Sequence, residues 1–339
     1  MFQECLKKII QRQDLSEEEM AEVMMEVMSG NATDAQIGAL MAALATKGET
    51  FSELAGAARA MRRKAVRIQT TADTVVDTCG TGGDRALTFN ISTTAAFVVA
   101  GCGVTVAKHG NRSVSSKCGS ADLLEALGMR LDVPPEVVEE AVQQIGIGFL
   151  FAPVFHGAMR FAAKARKEVG IRSIFNMLGP LTNPAGANCQ LLGVFAPELT
   201  EMFAQALRLL GARRAFVVHG RDGLDEITVC APTRVSELSD GLIKTYDLTP
   251  EQLLGRRAQP FDLTGGDSSV NAQIARRVLS GEKGPKRDVV VVNAAAALIA
   301  AGKAAEFSEA IKLAEDAIDQ GAAAAKLDAL IRFTCENAG

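Results

Sequence analysis

TVVDTCGTGGDRALTFNIST occupies residues 74–93, and the fold class turns on how it is read. A short β-branched run, TVVDTC, passes into a turn with Gly80, Gly82 and Gly83 and then into a donor-rich stretch, TFNIST. An apolar run of this length bounded by glycines reads as a buried strand. Glycines after a strand let backbone N–H groups approach an anion with no Cβ in the way. The spacing is neither G-x-G-x-x-G nor G-x-x-x-x-G-K-[ST]. Taken alone, it serves a tight turn as well as a phosphate cradle.

The same texture recurs downstream in GVTVAK (103–108), QLLGVF (190–195), RAFVVHG (214–220) and DVVVVN (288–293), all read as strands. Helix-period stretches such as PELTEMFAQALRLLG (197–211) lie among them. Strands alternating with helices imply an α/β domain with a mostly parallel sheet covered on both faces. Ligands in such folds sit in loops beyond the carboxyl ends of the strands. Upstream the pattern is helical. Ser16 with Glu19, Thr33 with Gln36 and Thr50 with Glu53 stand at capping-box spacing. Behind them, Met20, Val23, Met24, Val27 and Met28 form one apolar stripe, and Ile37, Leu40, Met41 and Leu44 another. Such stripes belong to a core or a subunit contact. MRRKAVR (61–67) reads as a solvated helix end, and the tail AAAAKLDALIRFTCENAG as a terminal helix. The expected architecture is a small helical domain over 1–71 and a large α/β domain over 72–339.

Composition narrows the function. The chain has 339 residues, 48% hydrophobic and 22% charged, with Lys+Arg 36 against Asp+Glu 40 and a net charge of −4. That balance argues against a nucleic-acid or anionic-membrane surface, so a local cation cluster meets a small anion. Seven scattered cysteines, no C-x-x-C pair and three histidines argue against structural zinc and fit free thiols in a reducing cytosol. The acid-rich N-terminus is unlike a signal peptide, and AAFVVAGCGVTVA is short of the roughly 20 residues of a membrane span. A soluble, cytoplasmic protein is expected.

Four stretches bear chemistry. In the first, Thr88, Asn90, Ser92 and Thr93 add neutral donors after the glycine turn, and Ser92 offers an oxygen suited to Mg²⁺. The second, KHGNRSVSSKCGSADLLEALG (108–128), packs Lys108, Arg112, Lys117, a histidine and four serines against a helix start. Ser120 is the expected cap there, and a helix N-terminus beside cations suits a phosphate. Alone it would be a solvated basic loop; two donor-rich loops at two strand ends favour an anionic ligand. The third, HGRDGLDEIT (219–228), holds the adjacent acids Asp225 and Glu226. At a strand end they could take different metal ions or share one, since carboxylates plus substrate phosphates are a usual way to hold Mg²⁺; without the other loops they would read as a surface acid pair. The fourth, RFAAKARKEVGIRSIFNMLGPLTNP (160–184), offers Arg166 and Arg172, either able to clamp a carboxylate. Its two prolines stiffen a loop that can wall a pocket.

Together these blocks, in order and over most of the chain through NAAAAL (293–298), resemble the anthranilate phosphoribosyltransferase family, which joins anthranilate to phosphoribosyl pyrophosphate in tryptophan biosynthesis. The resemblance implies the nucleoside phosphorylase/phosphoribosyltransferase fold class, with helices from about 160–185 joining the small domain, and a homodimer paired through it. Matching positions that would hold the phosphoribosyl donor are Gly80, Gly83, Asp84, Thr88, Asn90, Ile91, Ser92, Thr93, Lys108, His109, Gly110, Asn111, Arg112, Ser113, Val114, Ser115, Ser116 and Ser120. Gly80, Asn111 and Arg166 would contact anthranilate, which leaves Arg172 a structural role. Ser92, Asp225 and Glu226 would serve two magnesium ions per subunit. No strong general base is implied, because the anthranilate amine is already neutral near pH 7; His109 is a candidate proton relay or a positioning group. Two departures stand out: Arg85 and Ala86 follow GTGGD where the family usually has glycine, and Gly157 stands where proline is common.

The competing readings are a pyrimidine nucleoside phosphorylase and a non-catalytic nucleic-acid-binding relative. The phosphorylase needs no paired acids for magnesium, so GTGGD and DGLDEIT count against it. Acidic balance and the intact acid pair count against the binder.

Overall fold

A computed structural model of the chain describes residues 1–84, 87–113 and 117–338. Among these, β1 (Val75–Gly80), β2 (Thr105–Gly110), β3 (Ile147–Phe151), β4 (Cys189–Gly193), β5 (Arg214–Gly220), β6 (Thr233–Ser239) and β7 (Leu242–Leu248) form one sheet. Their order is β3-β2-β1-β4-β5-β6-β7. The first five are parallel and the last two antiparallel. β1 and β4 are buried almost throughout, as expected of strands covered on both faces, whereas the edge strand β7 is half exposed. The chain runs outward from β1 through β2 to β3, then returns to β4 on β1's other flank. That reversal opens a crevice at the carboxyl ends of β1 and β4.

Helices Glu17–Met28, Asp34–Lys47 and Phe51–Lys64 begin with the three expected capping boxes, on Ser16, Thr33 and Thr50. Both apolar stripes are fully buried. They share a core with Ala162, Ala165, Phe175 and Leu178, with Leu192, Ala215 and Val217 on β4 and β5, and with Val194 just beyond β4. The helical layer therefore rests directly on the sheet beside the crevice. No helix of the described residues is long and apolar enough to cross a membrane.

Two readings of the sequence need correction. DVVVVN is not a strand: it lies in the helix Pro285–Ala300, which starts with proline in its first turn and is buried nearly all round. β-branched content favours a strand locally, but the apolar run continues through AAAALIA, and that length fits a buried helix. Conversely, IGFLF, a run broken by Gly148 and not read above as a strand, forms β3 on the flank of β2.

Candidate active site

β1 ends at Gly80 and turns through Thr81–Asp84, with Gly82 and Gly83 at φ 63 and 78, where side chains are rarely tolerated. The loop after β5 folds back over this turn, so that Asp225 Oδ2 accepts the Gly82 N–H at 3.0 Å. Glycine at both strand ends leaves room for Asp225, for its carboxylate at Gly80 and for its backbone at Gly193. A Cβ on Gly80 would lie 2.7 Å from Asp225 Oδ2, and one on Gly193 would overlap the Asp225 carbonyl. Gly80 and Gly193 are register partners across β1 and β4. Gly193 escaped the sequence reading because its partners lie far from it along the chain.

The acids diverge. Asp225 faces the glycine turn, while Glu226 Oε1 accepts the N–H of Ser92 at 3.1 Å, at the start of the helix Ile91–Gly101. Burial, then the charges of Asp84 and Glu226, push Asp225 well above the usual carboxylate range. Burial pushes Glu226 up to about 7, opposed by Lys108 and the Ser92 hydrogen bonds. A divalent cation would relieve the repulsion, and Asp225, Glu226 and the Ser92 hydroxyl are the hard oxygen donors that Mg²⁺ takes. Among the described residues no group of three or more His, Cys, Asp or Glu is arranged to hold a metal by itself. The set fits a magnesium ion completed by water and by a phosphorylated ligand.

These groups line a cavity of about 460 Å³ at the crevice. It brings together Gly80, Gly83, Asp84, Thr88, Asn90, Ile91, Ser92, Thr93, Lys108, His109, Gly110, Asn111, Arg112, Ser113, Ser120, Asp225 and Glu226. Val114, Ser115 and Ser116, and the Arg85–Ala86 departure, lie outside the described residues. Arg166 is not in this lining; it is half-buried, its guanidinium 5.5 Å over the Phe175 ring. Arg172 is in the lining, together with Asn176 and Phe195.

The opening of the helix Ser120–Ala126 differs from expectation by one residue. Gly119 occupies the cap position, and Asp122 supplies the capping carboxylate, accepting the N–H groups of Gly119 at 2.8 Å and Ser113 at 3.0 Å. Ser120 instead ties down the loop, its hydroxyl accepting from Asn111 N and donating to Asn111 O, both at 3.2 Å. Arg112 pairs with Asp122 at 3.1 Å and Glu125 at 2.8 Å. Part of the loop's positive charge is thus answered by its own helix.

Lys108 and His109 are buried at the end of β2. The Lys108 ammonium donates to the Thr78 carbonyl and faces Asp77 and Glu226; burial lowers its pKa. Asp77, also buried, accepts from His109 N at 3.1 Å and from Asn183 of the GPLTNP loop at 2.8 Å. His109 Nδ1 lies 3.0 Å from the Gly179 carbonyl, which can only accept. His109 Nε2 is then the acceptor for His156 Nε2–H at 3.2 Å. Both ring nitrogens of His109 are therefore engaged within the protein, which fixes the orientation of the ring. Burial holds His109 at about 3 and His156 at about 4.

The imidazole pair fixes the sign of a pH effect. Unfolded, both rings bind protons near pH 6.5; folded, they resist until pH 3–4. Their contribution to stability is complete above about pH 6.5 and is lost as pH falls, by about 1.4 kcal/mol per pH unit for each ring. Melting temperatures between pH 7 and 5 should therefore fall more steeply for the natural chain than for His156→Gln. Parallel curves would refute the assignment.

Cys79 and Cys118 border the cavity, which raises the question of thiol sensitivity. Both are buried, and burial pushes Cys118 up to about 11 and Cys79 well above its ordinary value. The reactive thiolate is thereby suppressed. Brief iodoacetamide treatment at pH 7.5 should label the exposed Cys335 and neither cavity thiol, as read by peptide mass spectrometry. Donor-protected labelling of Cys118 would contradict this.

A family model described as "Glycosyl transferase family, a/b domain" matches residues 72–324, and one described as "Glycosyl transferase family, helical bundle domain" matches residues 3–65. The anthranilate phosphoribosyltransferase of Syntrophobacter fumaroxidans is 77% identical over 99% of this chain and 100% of its own length. That of Desulfosudis oleivorans is 70% identical over 99% and 100%. The Thermus thermophilus anthranilate phosphoribosyltransferase structure superposes with a TM-score of 0.92 at 46% identity, covering 97% of this chain and 99% of that one. The Saccharomyces cerevisiae enzyme, solved in complex with PRPP and Mg, gives 0.89 at 28% identity, covering 99% and 98%.

Proposed function

This chain belongs to the anthranilate phosphoribosyltransferase family, and from that premise we propose how its own residues perform the reaction. The enzyme is a pentosyltransferase that moves the phosphoribosyl group of phosphoribosyl pyrophosphate to the amine of anthranilate, releasing pyrophosphate. One observation supports the assignment of roles above all. The glycine turn after β1, the helix start at Ser92 and the acids Asp225 and Glu226 converge on one cavity at the strand-order reversal.

The donor's diphosphate lies against the Gly80–Asp84 turn and the Thr88–Thr93 segment, with Lys108 and the 109–113 loop on the β2 side. Asp225, Glu226 and Ser92 hold magnesium, two ions per subunit in this proposal. When bound, the metal neutralises the charge that builds on the departing pyrophosphate. The amine nitrogen forms a bond to the anomeric carbon as the carbon–oxygen bond to pyrophosphate breaks; the amine then sheds a proton to solvent. No protein base need activate a nucleophile that is already neutral. Asn111 and Gly80 border the acceptor position, and Arg166 takes the anthranilate carboxylate. This last role rests on the family likeness, since Arg166 lies outside the cavity lining. Alignment of the two substrates then supplies much of the acceleration. Pairing of two copies through the helical layer belongs to the same proposal and is read directly by light scattering.

The deciding assay mixes the protein with phosphoribosyl pyrophosphate, Mg²⁺ and anthranilate and follows anthranilate fluorescence, which should fall. A steady signal, together with phosphate-dependent cleavage of thymidine, would replace this reading with the phosphorylase.

A further inference from the structure

The geometry points to Arg172 as a positioning residue for the phosphoribosyl donor: it latches the phosphate-cradling turn after β1 to the helical side of the cleft. The inference rests on the reading that this cleft takes phosphoribosyl pyrophosphate. Arg172 follows the helix Arg160–Val169, which closes on left-handed Gly170. Its backbone is anchored on the helical side, because the neighbouring Ile174 and Phe175 are buried in the core shared with the first helices. From there its side chain crosses to the α/β side. The guanidinium carbon lies 3.8 Å from the centroid of the Phe195 ring, and Nη2 donates to the Gly83 carbonyl at 3.1 Å.

The platform that Arg172 stacks on is tied to the same turn. Thr81 N donates to the Gly193 carbonyl at 2.9 Å, and Thr81 Oγ1 accepts the N–H of Phe195 at 3.1 Å. The turn is therefore held from two directions. Asp225 takes the Gly82 N–H from the sheet side, and Arg172 takes the next residue's carbonyl from the helical side. Gly83 sits at φ 78, where side chains are rarely tolerated, and a Cβ there would displace the Arg172 guanidinium from the turn. Among the described residues, Arg172 donates its hydrogen bond to the turn, at the Gly83 carbonyl. A planar guanidinium can lie flat on a ring and donate in its own plane at once; an ammonium cannot.

The test uses the full-length enzyme and the variants Arg172→Ala, Arg172→Lys and Phe195→Leu. In Arg172→Ala the KM for phosphoribosyl pyrophosphate should rise about tenfold or more, since ~1 Å of misplacement can cost up to about 100-fold, while the KM for anthranilate changes by less than about twofold. Lysine should fail to restore the donor KM. Phe195→Leu should reproduce part of the effect and add nothing to Arg172→Ala in the double variant, as expected of two groups acting as one unit. Melting temperatures within a degree or two of the natural chain, on the scale of surface substitutions, would separate positioning from loss of fold. An unchanged donor KM, an equal rise for both substrates, or full rescue by lysine would overturn the latch. Calorimetric titration of each variant with the donor and Mg²⁺ keeps the two readings apart. If the natural chain binds donor but leaves anthranilate unconsumed, the reaction assignment fails, and the affinity ratio of Arg172→Ala to natural chain still decides the latch.

Discussion

Asp225→Asn combined with Glu226→Gln is expected to cut turnover by roughly 10³-fold or more, the scale seen when a group that stabilises developing charge is removed. The amides are nearly isosteric and can still accept the N–H groups of Gly82 and Ser92, so the turn and the helix start should keep their places. What disappears is negative charge. The same substitution should leave the metal-free protein at least as stable as before. Glu226 rises from 4.5 to about 7 in the folded chain. A carboxyl raised in this way favours the folded state only while protonated, so its penalty grows as pH climbs from about 4.5 and is complete above about 7. A neutral amide removes that penalty. Near-total loss of activity should therefore accompany an unchanged or higher melting temperature, and Mg²⁺ should no longer raise it. Natural-chain kinetics in the double variant would remove the metal assignment. A large drop in melting temperature would instead show that the acids hold the fold together.

What was legible in the sequence was whatever short-range physics determines. A capping box closes within four residues, so the helix starts at Ser16, Thr33 and Thr50 could be located without tertiary information. The GTGGD turn was legible for a similar reason, since a strand followed by glycines needs no distant partner to be recognised. The hidden features depend on groups far apart along the chain. The valines of DVVVVN favour a strand, but burial on every side and the further apolar turns make a helix of them. Arg166 and Arg172 are indistinguishable by local pattern, both lying on one segment. Only the placement of Phe195 and Gly83 shows that Arg172 enters the cavity. Asp122 reads as an ordinary first-turn acid until the loop from Ser113 to Gly119 folds back onto it.

Gly193→Ala is the sharpest test of that long-range layer. A Cβ at Gly193 would overlap the carbonyl oxygen of Asp225 and lie 2.6 Å from its carbonyl carbon and 3.3 Å from its Cα. All three are backbone atoms, so no rotamer change relieves the conflict. Backbone strain is not the issue, because Gly193 lies outside the left-handed region. Either the end of β4 moves, which breaks its register with both Gly80 and Val218, or the acid loop lifts away from the turn. The first route costs stability, on the order of the 1–3 kcal/mol typical of overpacking. The second displaces Asp225 from Gly82, and about 1 Å of displacement at a metal and phosphate site is worth roughly 100-fold in rate. Gly157→Ala is the control, since its Cβ would meet nothing closer than Arg160 Nη1 at 4.0 Å. Thermal melts with and without Mg²⁺, read beside turnover, distinguish the routes: a low melting temperature with normal Mg²⁺ stabilisation means the strand moved, and a normal one without Mg²⁺ stabilisation means the loop did. If Gly193→Ala matches Gly157→Ala in melting, metal response and rate, then the acids do not rest on the glycine ends of β1 and β4, and the floor of the proposed site is elsewhere.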